Sequence, residues 1–255
     1  MNMKLIPHPR LYITADHYRR LQQPADTPVL TVASRRVTDL ARKFLADPTI
    51  IVDETGHNYH LIRGRRMQTR VVTLLTEYRR TGDRRFRNAI LADIRRMAKW
   101  EYWSWITWRK NDPRPEAIFD LSYGENSATL AIAFDGLRDE LTGDEVALFV
   151  ETARRRSLIP YVRLNGGEKK QGYYDRPDTN WNTVCNGGAG MLALAMGDLC
   201  PESKQVVSLV EKGVTPFFKY LRKDGAWPEG IGYWNYGMRY GFMYLLSHER
   251  ATGRE

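Results

Sequence analysis

The sequence predicts an all-α protein. Three observations point there. Apolar residues recur at helical spacing in segment after segment. The punctuation Thr-Gly-Asp separates such segments at 81–83 and 142–144 and returns in part at Thr252-Gly253. No clean apolar–polar alternation outlasts a few residues, so strand signals are scarce. A helix, a glycine C-cap and a fresh Asp N-cap make an αα-hairpin. A loose repeat of hairpins argues for helix pairs stacked in an array or closed ring.

Taken in order, His8-Pro9-Arg10-Leu11-Tyr12 reads as an extended lead-in, because the residue before a proline avoids the helical region. Thr14-Ala15-Asp16 then caps a short helix with Tyr18, Leu21 and Gln22. Residues 28–47 carry Val29, Leu30, Val32, Val37, Leu40 and Phe44 as an amphipathic set. Met67, Val71, Leu74, Leu75 and Tyr78 mark a helix over 63–80, and Phe86, Ile90, Ile94 and Met97 the one after it. Helices follow near 126–141, 144–157, 187–196, 203–220 and 236–249. Chain length suits one large domain or two small ones, and the reading is a single helical domain over 1–255.

Composition bounds the function classes. Hydrophobic residues at 42% with 27% charged are ordinary for a protein with a real core. The formal charge of +9 is not ordinary, and it draws polyanions of any kind, whether nucleic acid, anionic lipid or acidic polysaccharide. The arginines Arg63, Arg65, Arg66, Arg70, Arg79, Arg80, Arg84, Arg85 and Arg87 read as a solvated helix surface. Cys185 and Cys200 are too few for a disulfide framework, and they read as buried free thiols. The pair His57 and His60 has no matching ligands nearby, so no metal and no cofactor is expected. No stretch reaches the roughly 18–20 apolar residues of a membrane span. The N-terminus lacks the apolar region of a secretory signal, which leaves a cytoplasmic location, or a secreted or periplasmic one if a signal was removed.

The most informative stretch runs from Asn180 to Gly237. It opens with Asn180-Trp181-Asn182-Thr183-Val184-Cys185-Asn186-Gly187-Gly188 and closes with Trp227-Pro228-Glu229-Gly230-Ile231-Gly232-Tyr233-Trp234-Asn235-Tyr236-Gly237. Amides, aromatics and glycines crowd both ends, where helix starts leave backbone N–H groups free to bind. Trp100, Tyr102, Trp103, Trp105 and Trp108 form a second aromatic cluster. Such rings either pack on the core or line a groove, where their faces stack on the apolar C–H faces of sugars.

These motifs resemble the heparinase II/III-like superfamily of polysaccharide lyases, which includes alginate and oligoalginate lyases. His8-Pro9-Arg10-Leu11 is similar to its N-terminal signature, and Asp120-Leu121-Ser122-Tyr123-Gly124-Glu125 with Ala131-Ile132-Ala133-Phe134-Asp135 to its central helix pair. The two motifs quoted above carry most of the likeness. The resemblance implies an incomplete (α/α) toroid, here lacking the β-sandwich-like domain that follows in full-length members, together with part of the active site.

It also implies β-elimination at a uronic acid, in which C5 loses its proton and the C4–O bond breaks. Asn182 is the expected neutraliser of the uronate carboxylate and Tyr236 the acid/base, with Arg239 placed three positions on to stabilise a phenolate. Asn180 and Tyr233 are the alternatives for those two roles. Trp181, Trp227, Glu229, Trp105 and Glu125 are expected to line the substrate cleft. The expected partner is an acidic polysaccharide or oligosaccharide, with no nucleic acid and no membrane. Because the final turn signal suggests an unfinished array, an exposed apolar surface near 236–250 and self-association into a homo-oligomer are expected as well. Two other readings stand beside the lyase. A glycoside hydrolase would draw on Asp178, Asp224 and Glu229, and a non-catalytic module would hold an anionic polymer on its basic face.

Overall fold

The computed structural model describes residues 3–104, 119–165 and 176–253, and these hold helices and no strand. The helices are α1 (Ala15–Leu21), α2 (Pro28–Ala46), α3 (Tyr59–Thr81), α4 (Arg84–Lys99), α5 (Leu121–Leu137), α6 (Gly143–Ala153), α7 (Ile159–Asn165), α8 (Trp181–Met196), α9 (Ser203–Tyr220) and α10 (Ile231–Thr252).

Their ends follow local chemistry. Thr14 caps α1 in a capping box with His17. At 81–83 the expected hairpin forms: Gly82 ends α3 with φ of 72°, and Asp83 accepts the Arg85 N–H to start α4. The turn at 142–144 works differently from the sequence expectation. There a short 3₁₀ turn over Arg138–Glu140 closes α5, Thr142 is the cap, and Gly143 is already the first helical residue. Thr142 succeeds because Glu145 reaches back to its N–H, completing a capping box that Asp144 cannot make. Between α6 and α7 the helix widens into a π-turn over Arg154–Leu158. Pro160 follows at once, and without an N–H it cannot supply the usual rung there.

Helix α8 begins six residues earlier than its glycines suggested. Gly187, Gly188 and Gly190 lie inside it and serve close packing. A Cβ on Gly188 would stand 2.0 Å from the Gly124 carbonyl oxygen, and one on Gly124 2.3 Å from that of Val184. Only hydrogen at these positions lets α5 and α8 touch backbone to backbone. Both helices are buried along their whole length.

Around that pair runs a row of four helices, with α3 beside α5, α5 beside α8 and α8 beside α10. Arg65 pairs with Glu125, Arg79 bonds the Gly136 carbonyl, Thr183 bonds the Gly237 carbonyl, and Gly190 lies against Tyr244. Early residues meet early ones and late meet late, so the four run parallel. The flanking helices run the other way. Thr38 on α2 bonds Glu77, Ser127 on α5 bonds Ser157 in the π-turn, and Asn182 on α8 bonds the Gly213 carbonyl on α9. The N-termini of α3, α5, α8 and α10 therefore gather at one end of the domain, and with them the positive ends of four helix dipoles.

The opposite end is closed by the extended N-terminal arm. Asp135, on α5, accepts hydrogen bonds from Arg10 N (2.8 Å), Leu11 N (3.0 Å) and His8 Nδ1 (2.6 Å). Ile6 N–H donates to the Ala251 carbonyl and Tyr12 N–H to Ser247 Oγ, both on α10.

Two sequence expectations are corrected here. The arginine run is not a solvated surface throughout. Arg70 is buried in a 2.7 Å pair with Asp93, and Arg87 is buried against Glu145. Helical period alone cannot see the acids that await them on other elements. In α2, only Ala41 is fully buried, and Val29 is 77% exposed. The first turns of this amphipathic helix reach past the body they were expected to cover. Cys185 and Cys200 are buried and not joined in a disulfide, and burial pushes the Cys200 thiol up to about 12.

Candidate functional site

At the end where the four N-termini meet, Arg65, Gly232, Tyr233, Asn235, Tyr236 and Arg239 line a cleft of about 450 Å³. Beneath the lining residues lies a shared carboxylate. Glu125, fully buried on α5, takes on its Oε1 both the Arg65 Nε–H at 2.9 Å and the Tyr236 hydroxyl. Its Oε2 is buried and has no hydrogen-bond partner among the described residues. Burial raises Glu125 above the ordinary carboxylate range, against the pull of Arg65 and the Tyr236 hydroxyl. Tyr236 is raised well above an ordinary phenol, first by burial and then by the Glu125 charge. For Arg65 burial works against the charge, but Glu125 and Tyr236 together hold it above the usual guanidinium value. The outcome is a phenol that keeps its proton and hands it toward a buried carboxylate.

A second layer fixes this triad. Gln68 donates to the Glu125 carbonyl and to Thr129 Oγ1, and its own Oε1 accepts from Tyr240 at 3.0 Å. One side chain thereby ties α3 to both α5 and α10. The Arg65 guanidinium lies 4.9 Å from the Tyr236 ring centroid, and that of Arg239 lies 5.7 Å from the same ring. Two cations thus flank one tyrosine at the mouth of the cleft.

The expected site residues divide into two groups. Tyr236, Tyr233, Arg239 and Glu125 come together with Arg65. Tyr233 stands at the rim, 56% exposed. Asn180, Trp181, Asn182, Trp227 and Glu229 form a different cluster where α8, α9 and α10 begin and end. Glu229 Oε2 accepts from the Asn180 backbone N–H (2.5 Å), the Asn180 Nδ2 (3.0 Å) and the Trp227 Nε1 (3.2 Å). A carboxylate on the free amides at the start of α8 is a helix cap. Trp227 packs on Phe217 with centroids 4.6 Å apart, and Trp181 joins the core. Asn182 is fully buried, with its amide nitrogen on the Gly213 carbonyl of α9. Trp105 lies outside the described residues.

Arg65, Gln68 and Tyr240 were not expected in the site. Arg65 was one arginine among many in a helical pattern, and nothing local distinguishes the one that faces an acid sixty residues on. The described residues hold no group of three or more His, Cys, Asp or Glu placed to bind a metal, and no helix among them is long and apolar enough to cross a membrane. No known family model matches this chain, and no curated protein matches it as a relative.

Proposed function

We propose that this chain is the toroid portion of a polysaccharide lyase that cleaves a uronic-acid-containing glycan by β-elimination. The observation that carries the reading is the buried Glu125 carboxylate shared by Arg65 and Tyr236 beneath a cleft that these two line with Arg239 and Tyr233. The row of four parallel helices backed by antiparallel partners is the arrangement an incomplete (α/α) toroid contains, which favours the same reading.

In the proposed reaction, Arg65 and Arg239 face the uronate carboxylate and neutralise it. That charge otherwise keeps the C5 proton from leaving, because the transition state is enolate-like. We give this role to the arginines because Asn182 is fully buried against α9 and does not line the cleft. A base at the rim of the cleft, where Tyr233 is placed, takes the C5 proton, the electron pair forms the C4–C5 double bond, and the C4–O bond breaks. The departing oxygen receives the proton of Tyr236, a phenol kept protonated by its surroundings. Glu125 holds that hydroxyl in place before the transfer.

A hydrolase would need a second carboxylate about 5–10 Å from the first. Among the described residues lining the cleft there is none, and Glu229 is occupied as a cap. The test is to incubate the protein with a panel of polyuronates and follow ultraviolet absorbance and chain ends together. Elimination gives a conjugated unsaturated uronate, so absorbance should rise with each new end. New reducing ends without absorbance would replace the reading with hydrolysis. Salt-sensitive binding without either would leave a binding module.

A further inference from the structure

Arg65 stands between a buried anion and an open cleft. It gives its Nε–H to Glu125 at 2.9 Å, from a side chain that is 42% exposed and lines the cleft. A guanidinium carries five N–H donors in a planar fork, so the same cation can meet a second carboxylate arriving from the cleft side. Glu125 is arranged the other way round. Its Oε1 accepts from both Arg65 and Tyr236, while its Oε2 is buried without a hydrogen-bond partner among the described residues.

We propose, on the lyase reading above, that an incoming uronate carboxylate shares Arg65 with Glu125, and that Glu125 takes up one proton from solvent on Oε2 as the uronate binds. Left ionised, Glu125 would face a second anion across one guanidinium, in a place where water does not screen it. A proton on Oε2 removes that conflict and leaves Oε1 free to accept its two hydrogen bonds. No other group around Glu125 takes its part. On α3 the remaining neighbour is the neutral Gln68, and on α10 the neighbours are Tyr236, Tyr240 and Arg239. Helix α8, packed on α5, carries no acidic or basic residue, only the buried Cys185 thiol. On α5 itself the nearest acid is Asp120, which caps the helix at its start. Burial already raises Glu125, and both phenols are raised too, so they keep their protons through the neutral range. Uptake also acts on the chemistry. After burial, the Glu125 charge is what most holds the proton on Tyr236. Once Glu125 is neutral, Tyr236 releases that proton more readily, and the acid is readied when the sugar is in place.

The probes are galacturonate, glucuronate and mannuronate as free sugars, which carry no sugar on O4 and cannot be cleaved. Titration calorimetry of the full chain gives their affinity, and two buffers of different ionisation enthalpy count the protons. The range is about pH 5 to 8, where water-exposed carboxylates are ionised and phenols are not. Binding is expected to take up as much as one proton, with affinity falling up to about tenfold per pH unit across the Glu125 titration. Glu125→Gln should bind with no uptake and with affinity flat in pH. Arg65→Gln is the second variant, at a partly exposed side chain. Its Glu125 has lost the cation and is already protonated, so residual binding through Arg239 should take up no proton. Binding without uptake at every pH, or uptake unchanged in either variant, overturns this proposal and leaves the lyase reading standing. No binding of any of the three sugars at about 20 mM overturns both together.

Discussion

Tyr236 and Glu125 lie 111 residues apart in the chain, and the phenol donates its hydrogen to the carboxylate buried beneath the cleft. The pair is the point where α10 and α5 meet the same chemistry. Tyr236→Phe removes one oxygen and keeps the ring against Tyr240, whose centroid is 5.7 Å away. If that oxygen protonates the leaving group, turnover on a polyuronate should fall by about 10²–10⁴, the usual worth of a placed acid. Tyr233→Phe should cost a similar factor while leaving stability unchanged, since Tyr233 stands at the rim. Full activity in both variants would end the lyase assignment of this helix.

Glu125 makes a prediction about pH. Its pKa is raised in the folded state, so the folded chain holds a proton that the unfolded chain releases near pH 4.3, the ordinary glutamate value. Stability from this group is fully present below that pH and is lost as pH rises through the folded value. Glu125→Gln removes the titration and should flatten this part of the stability curve. Chemical denaturation across the acid and neutral range measures it. An unchanged slope in the glutamine variant would mean that Glu125 is not raised.

Much of the fold was legible because it is local. Helical spacing, Gly82 and Gly253 as left-handed ends, and Thr14 as a cap are decided within a few residues. The start of α8 was misplaced because glycines normally weaken a helix interior. Here the gain from backbone contact between Gly124 and Gly188 overrides that preference, and the contact joins residues sixty-four positions apart. The site was half legible for the same reason. Tyr236, Tyr233 and Arg239 sit in one motif and came together. Arg65 and Gln68 belong to another helix, and only the parallel packing of α3 beside α5 brings them to the cleft. Residues in one motif can also part company: Asn180, Trp227 and Glu229 are joined by a helix cap, and Asn182 turns to α9.

The glycines supply a paired prediction with opposite signs. Gly188→Ala places a methyl 2.0 Å from the Gly124 carbonyl oxygen, against backbone that no rotamer change can move. The two central helices must separate, at a cost of about 1–3 kcal/mol or more. Gly143→Ala puts a methyl where nothing lies within 4 Å, at the first residue of α6, with no positive φ. That change should stabilise by roughly 0.5–1 kcal/mol, from reduced freedom of the unfolded chain. Thermal melts of the two variants should move in opposite directions.

The last prediction concerns the arm that closes the far end. Asp135 is buried, and its two oxygens collect two backbone N–H groups and the His8 ring from a segment more than 120 residues away. The arm has no secondary structure of its own at 3–14, so these bonds and those to Ser247 and Ala251 hold it. Asp135→Ala leaves three donors facing a buried void, at about 1–3 kcal/mol for each unsatisfied group where water cannot reach. The loss should be partial because a freed arm can swing into solvent and rehydrate its amides. Global stability should therefore drop by less than the summed bonds, while amide exchange at Arg10 and Leu11 should accelerate by orders of magnitude. The triad at the opposite end, Arg65, Glu125 and Tyr236, should keep its geometry, and binding of a polyuronate should change little. Slow exchange persisting at Leu11 in this variant would show that the buried Leu11 side chain and the bonds to Ser247 and Ala251 hold the arm without Asp135.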